Sequence, residues 1–162
     1  MPKQYLLKEL CGSIGAELHG RGDLVVESLS VDSRSIMSAV APLFIALPGE
    51  QHDGHNYIDE LYQDGIRAFL VSRELEWSRY PEAGFCMVRD SLGGLHALAA
   101  MKRKAFPGTV TAICGSNGKT IIKEWIYHCL KDEYKVQRSP RSYNSQVGVP
   151  LSLWMLEPEY QI

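Results

Sequence analysis

Gly115-Ser116-Asn117-Gly118-Lys119-Thr120 lies between a β-branched run, Thr109-Val110-Thr111-Ala112-Ile113-Cys114, and a segment of helical periodicity. In that segment Ile122, Trp125, Ile126, Cys129 and Leu130 fall at i, i+3, i+4, i+7 and i+8, one apolar helix face. A strand that turns through glycines into a helix brings unpaired backbone N–H groups and the positive end of the helix dipole to one point. Anions bind there. Gly115 and Gly118 allow the tight turn and the close approach of backbone to phosphate oxygens. Lys119 would meet the β- and γ-phosphates of ATP, and the Thr120 hydroxyl a Mg2+ ion. The strict spacing G-x-x-x-x-G-K-[ST] would need a glycine at position 113, which is Ile113, so the run is the shorter G-x-x-G-K-T. A glycine-rich strand-to-helix turn with an exposed lysine is the alternative reading of the same residues.

Other reactive residue types carry less. His52 and His55 form an H-x-x-H pair in a turn-like stretch without further ligands, short of the four that a structural metal site takes. Cysteines stand at 11, 86, 114 and 129, with no C-x-x-C pair and no zinc spacing. Cys114 and Cys129 lie in apolar runs and read as buried free thiols.

The elements that must position the loop alternate between strand and helix. Leu6, Leu7, Leu10, Ile14 and Leu18 predict a short, glycine-interrupted helix within 5–18, followed by a turn at Gly20-Arg21-Gly22-Asp23. Leu24-Val25-Val26 and Leu29-Ser30-Val31 predict extended chain, and Leu43-Phe44-Ile45-Ala46-Leu47 a buried strand closed by Pro48-Gly49. A helix from Tyr57 to Gly65, strands at 68–71 and 85–88, and a helix capped by Asp90 or Ser91 follow. This order predicts an α/β protein with a largely parallel sheet in its second part, and a domain boundary near Phe106-Pro107-Gly108.

The bulk numbers set limits. A chain of 162 residues holds one domain, or a small domain and a piece of another. A formal net charge of −2 favours neither nucleic acid nor anionic membrane as a general partner, and no apolar stretch is long enough to span a bilayer. The start lacks a signal-peptide pattern, so a cytosolic, cytoplasmic location is expected.

The shortened loop resembles that of the Mur ligases and their relatives, which include folylpolyglutamate synthetases. Lys123-Glu124 after the loop is similar to the G-K-T-x-x-K-E run of the MurF branch. Tyr143-Asn144-Ser145-Gln146-Val147-Gly148-Val149-Pro150-Leu151 is similar to its N-x-x-x-G-V-P-L segment. Asp32-Ser33-Arg34, Leu43 to Gly49, and Asp53-Gly54-His55 resemble the D-S-R, L-F-V-A-L-x-G and D-G-H signature of MurE and MurF N-terminal domains. The resemblance runs from the first helix to the end of the chain.

It implies a small substrate domain over 1–106, which holds the UDP end of UDP-N-acetylmuramoyl-tripeptide. The beginning of a P-loop domain for ATP and Mg2+ would follow over 107–162. D-Alanyl-D-alanine would be the second substrate, joined through an acyl phosphate, with Lys119 in the catalytic role and Thr120 on the metal. Ser33 and Arg34 would lie near the uridine diphosphate, Gln51 and His52 would line the nucleotide pocket, and Asn144 would stand near nucleotide or peptide. The family's acidic Mg2+ ligand, modified lysine and C-terminal domain would lie beyond Ile162, as would any fused alanine racemase. The expectation is therefore a piece of a ligase, inactive alone, that pairs with another chain or is disordered after Pro107.

Read without the resemblance, Arg34 is a surface arginine and Asn144 a loop asparagine satisfying local backbone. Ser142 stands where relatives often carry a second asparagine, and Arg138-Ser139-Pro140-Arg141 is either a solvated loop or a lip of the ATP site. The competing functions are a MurE-like or other Mur-type ligase, and a UDP-sugar-binding module without catalysis. The D-S-R and D-G-H runs argue against the folate branch.

Overall fold

Leu43-Phe44-Ile45 and Ala68-Phe69-Leu70-Val71 are unbroken apolar runs, the pattern of strands covered on both faces. They form the middle of a five-stranded sheet. The computed structural model describes residues 4–49, 52–140 and 143–162, and the chain divides into two units, Met1–Leu98 and Ala99–Ile162.

In unit 1 the elements run β1 (Tyr5–Leu6), α1 (Leu7–Ile14), β2 (Glu17–Gly20), β3 (Val25–Val26), β4 (Ser28–Ser30), β5 (Pro42–Ile45), α2 (Ile58–Gln63), β6 (Ala68–Val71) and β7 (Gly84–Met87). The start of α3 (Ser91–Ala105) completes the unit. The sheet order is β2-β7-β6-β5-β4: β4 to β7 are parallel, and β2 closes one edge antiparallel to β7. β1 and β3 pair separately. On one face the Phe69 ring stacks on Phe85 at 5.2 Å and meets Phe44 edge-on at 6.4 Å, while Leu43, Ile45 and Leu70, which alternate with them, are as fully buried. Such offset and edge-on pairs add to the burial of the rings themselves.

Two local details differ from the sequence expectation. The first helix stops at Ile14 because Gly15 takes a left-handed conformation (φ 66°) that reverses the chain. Glu17–Gly20 then pairs with β7, so the expected turn begins only after a strand. Cys11 on α1 and Cys86 on β7 form a disulfide, a pairing their sequence separation of 75 does not advertise. Asp90 caps α3, its carboxylate accepting from the Leu92 and Gly93 N–H groups at 3.1 and 2.9 Å.

Unit 2 contains the rest of α3, then α4 (Lys119–Leu130) and α5 (Gly148–Trp154). The strand expected at 109–114 has no ladder. Thr109 N–H donates to Gln161 O, Gln161 N–H to Lys135 O, and Gln137 N–H to Ile162 O, which sets Gln161–Ile162 between the other two segments. Strand geometry needs continuous partners along a run, and these isolated bonds do not supply them. The helix after the loop forms as expected, yet none of its described residues is buried. Cys114 and Cys129 are exposed, contrary to the expectation of buried thiols, because the apolar face that carries Cys129 has no layer over it.

Candidate functional site

Gly118 precedes α4 at φ 78°, a left-handed backbone conformation that a Cβ disfavours. Gly118 brings no capping side chain to the helix start, where the backbone N–H groups converge in the manner of an anion site. Lys119 curls back on the loop, its Nζ donating to the carbonyls of Gly115 and Ser116, the latter at 3.2 Å. The ammonium therefore stands at the mouth of the turn, held by two weak acceptors that phosphate oxygens would outbid.

A cavity of about 620 Å³ opens beside this turn. Gly115, Lys119, Thr120, Arg138 and Asn144 line its polar side, whereas Val110, Ile126, Val136, Leu153 and Leu156 line an apolar one. The volume lies in the range of roughly 300–1,000 Å³ common for small-molecule sites. Four residues singled out from the sequence thus border one space: Gly115, Lys119, Thr120 and Asn144. Ser116 and Asn117 form the turn itself.

A second wall of the cavity, at Gln137, Arg138 and Ser139, is tied to α4. Lys123 Nζ donates to Ser139 O at 2.8 Å and lies 3.4 Å from Glu124. Arg138 pairs with Glu124 and lays its guanidinium over the Tyr127 ring at 3.9 Å. Sequence reasoning quoted Lys123-Glu124 only as a motif and left Arg138 between two readings. The structure makes Arg138 a wall of the cavity. Helical spacing puts Lys123, Glu124 and Tyr127 one to two turns beyond the loop but does not announce their partners at 138 and 139.

The other candidates stand in unit 1. Arg34 turns its fork on its own motif: Nε and Nη2 each donate to an Asp32 carboxylate oxygen at 3.0 Å, and Asp32 also accepts from the Arg34 N–H. The guanidinium holds the Asp32 carboxyl below its ordinary value, and the carboxylate raises Arg34 in turn. Arg34 nonetheless remains 88% exposed, and an exposed pair exchanges partners at little cost. Ser33 is half-buried and His52 exposed, while Gln51 lies outside the described residues.

Asp53-Gly54-His55 is buried structural work that the sequence did not resolve. Asp53 accepts from the His55 N–H at 3.0 Å, meets its ring Nδ1 at 2.7 Å, and pairs with Arg73 at 2.5 Å. The Ser72 N–H donates to His55 Nε2 at 3.1 Å, so Nδ1 carries the proton that faces Asp53. Burial opposes the charge on Asp53, but the His55 N–H and ring together with Arg73 outweigh it and hold the carboxyl below its ordinary value. Gly54 passes so near β5's exit that a Cβ would stand 2.8 Å from Ala46 Cα. The motif thereby fixes the loop after β5 against the end of β6, the loop that carries His52.

The family model described as "Mur ligase family, catalytic domain" matches residues 25–103, most of unit 1, and ends before the Gly115 loop. The UDP-N-acetylmuramoyl-tripeptide--D-alanyl-D-alanine ligase of Treponema pallidum is 33% identical over 95% of this chain and 35% of its own length. The enzyme of that name from Escherichia coli is also 33% identical, over 95% of this chain and 32% of its own length. The chain spans about a third of these relatives. A crystal structure of MurF from Acinetobacter baumannii matches 99% of this chain and 35% of its own, with a TM-score of 0.87 at 25% identity. MurF ligase from Thermotoga maritima, in complex with ADP, matches 83% of this chain and 30% of its own, with a TM-score of 0.70 at 30% identity. Loop, motifs and fold agree with these matches: over its described length the chain resembles the Mur ligase family and, within it, the MurF type.

Proposed function

We propose that this chain supplies the UDP-substrate domain and the phosphate loop of an ATP-dependent amide ligase of peptidoglycan synthesis. The ligase joins D-alanyl-D-alanine to UDP-N-acetylmuramoyl-tripeptide. The observation that carries the reading is the uncapped start of α4 behind left-handed Gly118, with Lys119 and Thr120 bordering the cavity. A carboxylate is a poor electrophile, and phosphorylation by ATP gives the tripeptide carboxyl a leaving group for attack by the dipeptide amine. The loop N–H groups bind the phosphates, and Lys119 leaves the Gly115 and Ser116 carbonyls to stabilise charge on the phosphoryl in transfer. Gly115, Ser116, Asn117 and Gly118 shape that cradle.

The donor set suits Mg2+. Among the described residues no group of three or more His, Cys, Asp or Glu side chains could hold a metal. A lone hydroxyl, Thr120, fits an ion that takes most of its ligands from phosphates and water. Asn144, on the same cavity, can donate and accept toward nucleotide or peptide. Ser33, Arg34 and His52 serve the UDP end, where Arg34 exchanges Asp32 for a phosphate; Gln51 is assigned there from the resemblance alone.

Titration of the chain with Mg-ATP and, separately, with UDP-N-acetylmuramoyl-tripeptide tests this. Lys119→Ala is expected to weaken Mg-ATP by at least about tenfold, the scale of a lost charge-assisted contact. Unchanged ATP affinity in that variant would refute the assignment. The second reading, a UDP-sugar-binding module without catalysis, is favoured by the contrast between the finished core of unit 1 and the uncovered α4. Binding of the UDP-sugar without ATP selects it. Ligation requires more of the ligase than this chain spans, and product formation by the chain alone would overturn that.

A further inference from the structure

Lys123 and Glu124 follow Lys119 by one turn of α4. Both reach across to the segment after α4, and three separate links join the same two elements. Lys123 Nζ donates to the Ser139 carbonyl, Glu124 pairs with Arg138, and Arg138 covers the Tyr127 ring. Residues 11 to 16 positions apart are thus tied at the polar rim of the cavity, with Gln137, Arg138 and Ser139 as its second wall. The Gln137 N–H bonds to Ile162 O, and its side chain to the Met155 carbonyl and the Glu157 N–H; these anchor the wall's inner end and leave the rim to the links from α4.

We propose that Lys123, Glu124 and Arg138 are positioning residues that clamp residues 137–139 as the wall meeting the nucleotide beyond its phosphates. The proposal rests on the nucleotide reading of the loop. The division of labour follows from the geometry. N–H groups at the start of α4 and Lys119 suffice for a phosphate chain, whereas whatever extends from those phosphates runs along the wall. Lys123 neutralises part of the Glu124 charge at 3.4 Å and fixes the wall backbone through Ser139. Arg138 is held flat by its pairing on one side and the aromatic face on the other, a geometry that lysine meets only in part.

The test titrates Mg-ATP and Mg-tripolyphosphate into the whole chain and into Glu124→Gln, Arg138→Ala and Arg138→Lys. Loss of an exposed pair with its ring contact is expected to weaken ATP about five- to tenfold in Glu124→Gln and Arg138→Ala. Tripolyphosphate, held by the loop, should shift less than about twofold, and Arg138→Lys should recover only part of the ATP affinity. Amide exchange at 137–139 should quicken in the two weakened variants and less in Arg138→Lys. Unchanged ATP affinity in both, a parallel fall for tripolyphosphate, or no recovery with lysine would each overturn the clamp. An unaltered chain that binds tripolyphosphate no more weakly than ATP would overturn it too, while the phosphate loop stands. A chain that binds neither sinks the nucleotide reading and the clamp together.

Discussion

Units 1 and 2 place comparable apolar patterns in opposite circumstances. In unit 1 the runs at 42–45 and 68–71 are flanked on both sides by other strands and covered by helices, so Phe44, Phe69 and Phe85 are at most 1% exposed. In unit 2 the equally apolar face of α4 leaves Ile121, Ile122 and Trp125 at 43–67% exposure, and the run at 109–114 has no ladder. Hydrophobic periodicity specifies which face wants cover, and tertiary neighbours decide whether it is covered. The stability of the chain should therefore reside in unit 1, and the phosphate binding proposed for the α4 turn would belong to unit 2.

The largest expected effect tests that division. Phe69→Ala removes a ring packed against two others and should cost about 3–5 kcal/mol in denaturant unfolding. A cost near that size from an α4 substitution would break the contrast. Next comes the Cys11–Cys86 bond, which closes 75 residues of unit 1. Reduction, or Cys11→Ala with Cys86→Ala, should lower unfolding stability by about 2–4 kcal/mol, mainly by freeing the unfolded chain. Equal midpoints with and without reductant would show that packing alone suffices.

Alkaline pH gives a third test of the same unit. Tyr80 is buried and donates to Asp59 at 2.5 Å, and burial first, then that bond, push its phenol up from 10.0 to about 12. The neutral form is the one the fold favours, so its contribution is complete below pH 10 and is lost as pH rises toward 12. The loss should be on the order of 2 kcal/mol between those values. Tyr80→Phe should flatten that part of the stability curve, as followed by unfolding at pH 9, 10, 11 and 12. A curve that keeps its slope assigns the titration elsewhere.

What could be read from the sequence divides along the same line. Strands at 43–45 and 68–71, the helix after Asp90, and α4 were legible because local pattern and final environment agree there. The 109–114 strand was not, since its β-branched letters state a preference that only neighbouring strands can satisfy. Burial of Cys114 and Cys129 failed for the same reason. The glycine turn before α4 was legible because glycine at 118 answers a local need, a left-handed φ, independent of any partner. The second wall was hidden because Lys123, Glu124 and Arg138 meet across 14 to 16 residues, and no periodicity announces a salt bridge. Asp53-Gly54-His55 showed as a motif, but its link to Ser72 and Arg73 depends on strand order.

The smallest effect on stability belongs to Trp125. It is 67% exposed, so Trp125→Ala should change unfolding stability by no more than about 0.5 kcal/mol, the range of surface substitutions. Its effect on association should be larger. An indole beside Ile121 and Ile122 is apolar surface of the kind that drives contact between molecules. The unaltered chain should therefore self-associate with rising concentration in sedimentation velocity, and Trp125→Ala should shift it toward monomer without altering the unfolding of unit 1. A chain that stays monomeric at every concentration, with α4 amides as slow to exchange as those of β6, would mean that the helix is stable without cover. The contrast between the two units would then lie in their exposed area and not in their need for neighbours.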